Sequence, residues 1–187
     1  MKKRKTFTIM AILIAVLVLG VGYAAISNVT LTVNGSGNIK ADADFSVVFD
    51  TTHTVGLSDS SSKVTINETQ YAVVAGSYTN TSTATMTVYL DKDNTSEWAC
   101  FKIDNTSTQL AATLSANVTQ VSGTNAAYFG TITSAFFSDS GCSTALSGNV
   151  AHGQSAYLKV TVPKGSTEPA QDVTNASFTV TVTATPA

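Results

Sequence analysis

Ala176-Ser177-Phe178-Thr179-Val180-Thr181-Val182-Thr183-Ala184 alternates apolar and polar residues without interruption. Successive strand residues point to opposite faces, so Ala176, Phe178, Val180, Val182 and Ala184 share one face. Ser177, Thr179, Thr181 and Thr183 take the other. That is the pattern of a strand with one buried and one solvated face. It recurs upstream, where Ala84, Met86, Val88 and Leu90 face inward in one run and Ala156, Leu158, Val160 and Val162 in another. Ser and Thr make up roughly a quarter of the chain, and Thr favours strands because its branched side chain suits a half-wet pleated surface.

Working outward from these three runs, further strands are predicted over residues 29–33, 45–49, 63–66, 71–75, 98–103, 111–118 and 128–137. Clusters of turn residues separate them: Asn34-Gly35-Ser36-Gly37-Asn38, Ser58-Asp59-Ser60-Ser61-Ser62, Asp91-Lys92-Asp93-Asn94 and Pro163-Lys164-Gly165. About eight to ten short strands at this spacing imply an all-β fold, a two-sheet antiparallel sandwich of jelly-roll type. Residues 28–187 contain no linker longer than a loop, so they are expected to form a single β-sandwich domain.

Ahead of that domain, Met1-Lys2-Lys3-Arg4-Lys5 is a cationic head and residues 7–26 are an almost unbroken apolar run. A positive n-region followed by an apolar h-region is an export signal, so residues 1–27 are expected to be a signal peptide or a membrane anchor. Cleavage after a small residue with another small residue at −3 suits Ala24, preceded by Gly22, and Ser27, preceded by Ala25; Ala25 itself has Tyr23 at −3. Retention is the other outcome, because roughly 20 apolar residues can span a bilayer. The Lys/Arg cluster would then stay cytoplasmic with the domain outside, and residues 7–26 would be the only membrane contact. The leader departs from a type IV prepilin, since Thr6 stands where processing needs Gly and Ala11 where those pilins carry Glu.

Removing the leader takes four of the ten Lys/Arg, leaving six basic against twelve acidic residues, a net charge of −6. Such a surface repels phosphate backbones, which argues against nucleic acid as a partner. Neither His53 nor His152 belongs to an H-E-x-x-H or H-x-H arrangement, and Gly-x-Ser-x-Gly is absent. The run from Asp91 to Glu97 glances toward a calcium loop, but it lacks Gly at the sixth position and has Lys102 at the twelfth. No catalytic residue, metal site or cofactor is therefore expected, and the chain does not read as an enzyme. The N-x-[ST] triplets at Asn28, Asn67, Asn80, Asn94, Asn105, Asn117 and Asn175 are read as polar surface in a chain whose signal looks bacterial.

Cys100 and Cys142 are the only cysteines. After export they can form a disulfide, which in the chain-entropy model contributes about 4 kcal/mol. In an anoxic habitat they can also remain two thiols.

Several segments carry a family likeness. The junction Gly22-Tyr23-Ala24-Ala25-Ile26-Ser27-Asn28-Val29 leads into the domain; Ala84-Thr85-Met86-Thr87-Val88 precedes a charged turn; then come Phe101-Lys102-Ile103-Asp104-Asn105-Thr106-Ser107 and Leu110-Ala111-Ala112. Residues 154–163 and 176–186 close the chain. Together these resemble the SipW-dependent TasA/camelysin-like family of Gram-positive secreted proteins. The resemblance implies a jelly-roll subunit of an extracellular fibre or biofilm matrix, processed by a dedicated signal peptidase and self-associating into filaments. It also implies that the segment freed by cleavage is a donor strand, here Ile26–Val33, whose Val29, Leu31 and Val33 share one face. Camelysin-like members are labelled metalloproteases, but no zinc-binding motif is written here.

The expected function is thus a secreted structural subunit at the cell surface or in the matrix. The competing class is a surface-anchored adhesin or carbohydrate-binding β-sandwich module, with Tyr71, Tyr78, Tyr89, Trp98 and Tyr128 as stacking platforms. A secreted hydrolase using His53 or His152 is the third.

Overall fold

A computed structural model describes residues 29–33, 45–66, 68–91, 94–169 and 176–187. Ile26 and the cleavage candidates Ala24, Ala25 and Ser27 lie outside the described residues, as do the apolar leader and the Gly-rich turn after Val33.

The described chain is almost entirely strand: β1 Val29–Val33, β2 Val47–Phe49, β3 Gly56–Leu57, β4 Lys63–Ile66, β5 Thr69–Ala72, β6 Val74–Asn80, β7 Thr83–Val88, β8 Ser96–Asn105, β9 Ala112–Thr119, β10 Thr133–Phe137, β11 Ser155–Pro163 and β12 Thr179–Pro186. One 3-10 turn, Gly123–Tyr128, interrupts them. Five strands in the order β6-β7-β1-β12-β9 make what we call the threonine sheet. The disulfide sheet runs β10-β11-β8-β2, with β3 also on β8. A separate β4-β5 hairpin completes the set.

Both large sheets feed one hydrophobic cluster. Val180, Val182 and Ala184 enter from the threonine sheet, and Phe101, Ile103, Leu158 and Val160 from the disulfide sheet. Each of the three runs that alternate in the sequence buries the predicted face. Ala84, Met86, Ala156, Leu158, Val160, Val162, Val180, Val182 and Ala184 are all buried, and Val88, Leu90, Ala176 and Phe178 pack against them. The cluster centres on Phe101, which meets Phe49 and Tyr78 edge-on at 6.3 and 5.9 Å between ring centroids. Such aromatic pairs add about 0.5–1.5 kcal/mol beyond the area they bury.

Three expectations are corrected. Residues 71–75 are not one strand, because the chain passes from β5 to β6 at Val73. That residue is fully buried, its amide donates to the Ser62 carbonyl and its carbonyl accepts from Tyr89, so its backbone serves other segments. The strand predicted from Tyr128 begins at Thr133 instead. Tyr128 ends the 3-10 turn, where its carbonyl accepts the amide of Gly165 at 2.8 Å. A Cβ at Gly165 would overlap the Ala127 carbonyl, so only glycine permits this approach. Finally, the pairing is not wholly antiparallel: β1 runs parallel to β7.

Candidate assembly interface

The N-terminal strand occupies the middle of the threonine sheet. β1 pairs antiparallel with β12 from Val29↔Ala184 to Val33↔Val180, and parallel with β7 at Thr32↔Thr83 and Val33↔Ala84. No other described strand links β6-β7 to β12-β9. Without β1, facing edges of β7 and β12 would each expose a row of unpaired amides and carbonyls, which is a template for another strand. Opposite residues of an antiparallel pair lie on one face. The register therefore sets Val29, Leu31 and Val33 opposite Ala184, Val182 and Val180, the members of β12 with no solvent exposure.

None of the five strands of this sheet contains a charged residue. The disulfide sheet holds Glu97, Lys102 and Asp104 on β8 and Lys159 on β11. Lys102 Nζ lies 2.8 Å from Asp50 and 3.2 Å from Asp104. The hydrogen bond from Lys102, with others from Thr52, holds the Asp50 carboxyl well below the usual carboxylate range. The same bond to Asp50 raises Lys102.

Cys100 and Cys142 form a disulfide. Both are buried, and the bridge pins the loop after β10 onto β8. Cys142 adopts φ of 49°, a left-handed conformation costing an L-residue about 1–2 kcal/mol. Asp139 supports the loop by accepting the amides of Ser143 and Thr144, which lowers its own pKa.

The residues considered for chemistry are dispersed. His53 is half-buried with its ring edge-on to Tyr157 at 5.8 Å, whereas His152 sits exposed in the turn before β11. Among the described residues, no group of three His, Cys, Asp or Glu can hold a metal. Glu97 is buried and accepts a hydrogen bond from Ser58, while Asp91 accepts the amide of Asn94 at 2.8 Å. The aromatic candidates form no shared platform. Tyr71 and Tyr89 stack on each other at 4.6 Å, Lys159 covers the Trp98 ring at 4.3 Å, and Tyr78 packs into the core. Asn105, one of the N-x-[ST] triplets, is buried: its Nδ2 donates to the carbonyls of Leu110 and Val150, and its Oδ1 accepts the amide of Ser107. The Asn105-Thr106-Ser107 motif is thus an internal clamp.

Two roles escaped the sequence. The Lys102 amide, left between β2 and β3 on the edge of β8, donates to Tyr78 Oη at 2.7 Å. Burial pushes the Tyr78 hydroxyl up to about 12. Ser58 Oγ likewise accepts the Trp98 amide at 2.8 Å and continues the β3 pairing. Both bonds span distant positions, so local periodicity carries no signal for them. No family model, no curated protein and no solved structure matches the chain.

Proposed function

We propose that this chain is a secreted structural subunit of an extracellular fibre or biofilm matrix, built as a jelly-roll sandwich and assembling by strand donation from its mature N-terminus. The place of β1 carries this reading. It is the strand nearest the export signal, and it fills a slot bounded by β7 and β12. A slot of this kind accepts the same strand from its own chain or from a neighbour, since main-chain hydrogen bonds and alternate side chains are the recognition elements. Donation from one copy to the next is a head-to-tail contact, and a head-to-tail contact that does not close generates a filament. The absence of charge from the five strands supports it further, because two copies approach this sheet without like-charge repulsion.

The test is electron microscopy of the exported chain beside Leu31→Asp, which sets a carboxylate opposite fully buried Val182. The expected outcome is filaments from the parent chain and none from the variant. Mass spectrometry of the same material locates the processed N-terminus. Monodisperse particles from the parent under every assembly condition, or an intact leader on a membrane-held monomer, overturn the proposal.

A further inference from the structure

The bridge is the product of a reaction, because both cysteines are made as thiols and a separation of 42 residues has to be closed. Its two halves are set differently. Cys142 belongs to the tip of the loop after β10, residues 138–143, and that tip is tied within itself. The Cys142 amide donates to the Asp139 carbonyl at 3.0 Å, and the Ser138 amide donates to the Thr144 carbonyl at 2.9 Å. The Asp139 carboxylate accepts the Ser143 amide and hydroxyl and the Thr144 amide. No described backbone hydrogen bond joins the tip to β8. Apart from the bridge, β8 meets it where Cys100 Sγ lies 3.6 Å from the Ser140 carbonyl oxygen. The tip is thus a preformed knuckle that holds Cys142 at its left-handed φ and docks as one piece. Ser138, Ser140, Gly141 and Ser143 around it are exposed, so docking on β8 is what buries Cys142.

Cys100 is fixed in β8, on the face that also carries Trp98 and Lys102. Its cross-strand partner on β11 is Lys159. Lys159 Nζ stands 4.3 Å from the centroid of the Trp98 ring and 5.7 Å from that of Phe137, the last residue of β10. The ammonium is therefore held on the face of Cys100, beside the base of the loop. No carboxylate among the described residues pairs with it. The other titratable groups nearby are engaged. Lys102, next along the face, is bonded to Asp50 and Asp104, and Tyr157, opposite Lys102, has His53 edge-on. Asp139 turns its carboxylate to the knuckle's own amides, and β3 sets only Gly56 opposite Cys100. With the knuckle lifted, Cys100 is a thiol beside an unpaired cation, a setting that favours the thiolate.

We infer that the reduced chain is a substrate for thiol–disulfide exchange in which Cys100, assisted by Lys159, takes an external disulfide first and Cys142, delivered by the Asp139 knuckle, completes the bridge. In the first step the Cys100 thiolate attacks one sulfur of the oxidant. The oxidant's S–S bond breaks, and its second sulfur leaves as a thiolate that takes up a proton. In the second step the Cys142 thiolate attacks Cys100 Sγ, and the remaining oxidant sulfur leaves in the same way. The chain loses two electrons and two protons, and the oxidant, an organic disulfide, is reduced to two thiols. Lys159 and Asp139 are positioning residues, since neither exchanges electrons with sulfur. The inference is independent of strand donation, because β8, β10 and β11 belong to the other sheet.

The test is anaerobic reoxidation of the reduced, exported chain by bis(2-hydroxyethyl) disulfide, a neutral probe, with acid quenching and intact mass followed over time and pH. Cys142→Ala traps the adduct on Cys100, and Cys100→Ala traps it on Cys142. Adding Lys159→Gln to Cys142→Ala is expected to slow adduct formation about threefold at neutral pH and to move its pH–rate inflection upward. Lys159→Arg, which keeps the cation, is expected to restore the profile. With both cysteines present, Asp139→Ala is expected to slow conversion of adduct into bridge about fivefold, and Asp139→Asn, which still accepts the amides, to recover most of the rate. Hydrogen exchange on the reduced chains is expected to show β8 and β11 protected before the bridge forms. Adduct formation on Cys100 that ignores Lys159, or an equal slowing by Lys159→Gln at Cys142, overturns the inference. So does a reduced chain with β8 and β11 unprotected, or closure as fast in denaturant as in buffer. Conversion unaffected by Asp139→Ala overturns the role of the knuckle.

Discussion

The threonine sheet and the disulfide sheet bury residues in one cluster, yet they are built from different materials. The first contributes Val, Ala and Met to the core and no charge anywhere in its strands. The second contributes Phe49, Phe101, Ile103 and Leu158, and it holds the disulfide and the Asp50–Lys102–Asp104 cluster. Large side chains, a covalent staple and paired charges all resist rearrangement. The small side chains packed in the threonine sheet resist it less. The division teaches that large side chains, the staple and the ion pairs are concentrated in one sheet, so the two halves are expected to resist rearrangement unequally.

That contrast can be broken by substitution in the core. Phe101→Ala is expected to cost about 3–5 kcal/mol in denaturant unfolding, the usual range for deleting a buried aromatic ring. Val182→Ala in the threonine sheet is expected to cost about 2 kcal/mol, in line with the apolar surface and cavity involved. A reversal of that order would mean the threonine sheet dominates the core.

The staple comes next. Replacing Cys100 and Cys142 by Ala together is expected to cost about 2–4 kcal/mol, given the 42-residue separation they close. Hydrogen exchange should quicken in β10 and the loop that follows, while β9 and β12 keep their protection. Equal loosening of both sheets would show that they do not behave as distinct units.

The smallest effect is the pH response, which arises in the disulfide sheet, in loops and at Tyr78 of β6. Asp50 is depressed by Lys102 and Thr52, Asp59 by hydrogen bonds from Ser62 and Ser61, and Asp139 by the amide of Thr144. A depressed carboxylate contributes stability above its unfolded pKa of about 4, and that contribution is lost as pH falls toward the folded value. Lys102 is raised, so its share is present below about pH 10 and is lost as pH rises through the folded value. Tyr78, raised to about 12, favours the neutral phenol in the fold, so stability also falls as pH climbs above about 10. Unfolding measured across pH should therefore show a maximum between about pH 4 and pH 10. Asp50→Asn should flatten the acid limb, and an unchanged limb would remove Asp50 from this account.

Strand existence was legible where neighbours two residues apart agree, as in β7, β11 and β12. The predicted strands over 29–33 and 63–66 also coincide with β1 and β4. The break at Val73 was not legible, because both of its neighbours look equally strand-like and the partners that divide them, Ser62 and Tyr89, lie elsewhere in the chain. The cysteines were readable as a pair with two possible states, and their geometry chose one. The leader, its cleavage candidates and Ile26 lie outside the described residues and stay with the sequence alone.

By itself, then, the sequence determined the period-two faces, the uncharged character of most strands, and the cationic head followed by an apolar run. These follow from composition and from residues close along the chain. The tertiary structure alone decided that β1 lies between β7 and β12, and that Tyr78 and Asn105 close gaps inside. Each of those outcomes depends on which distant strands become neighbours, and backbone hydrogen bonding has no residue code from which such neighbours can be read.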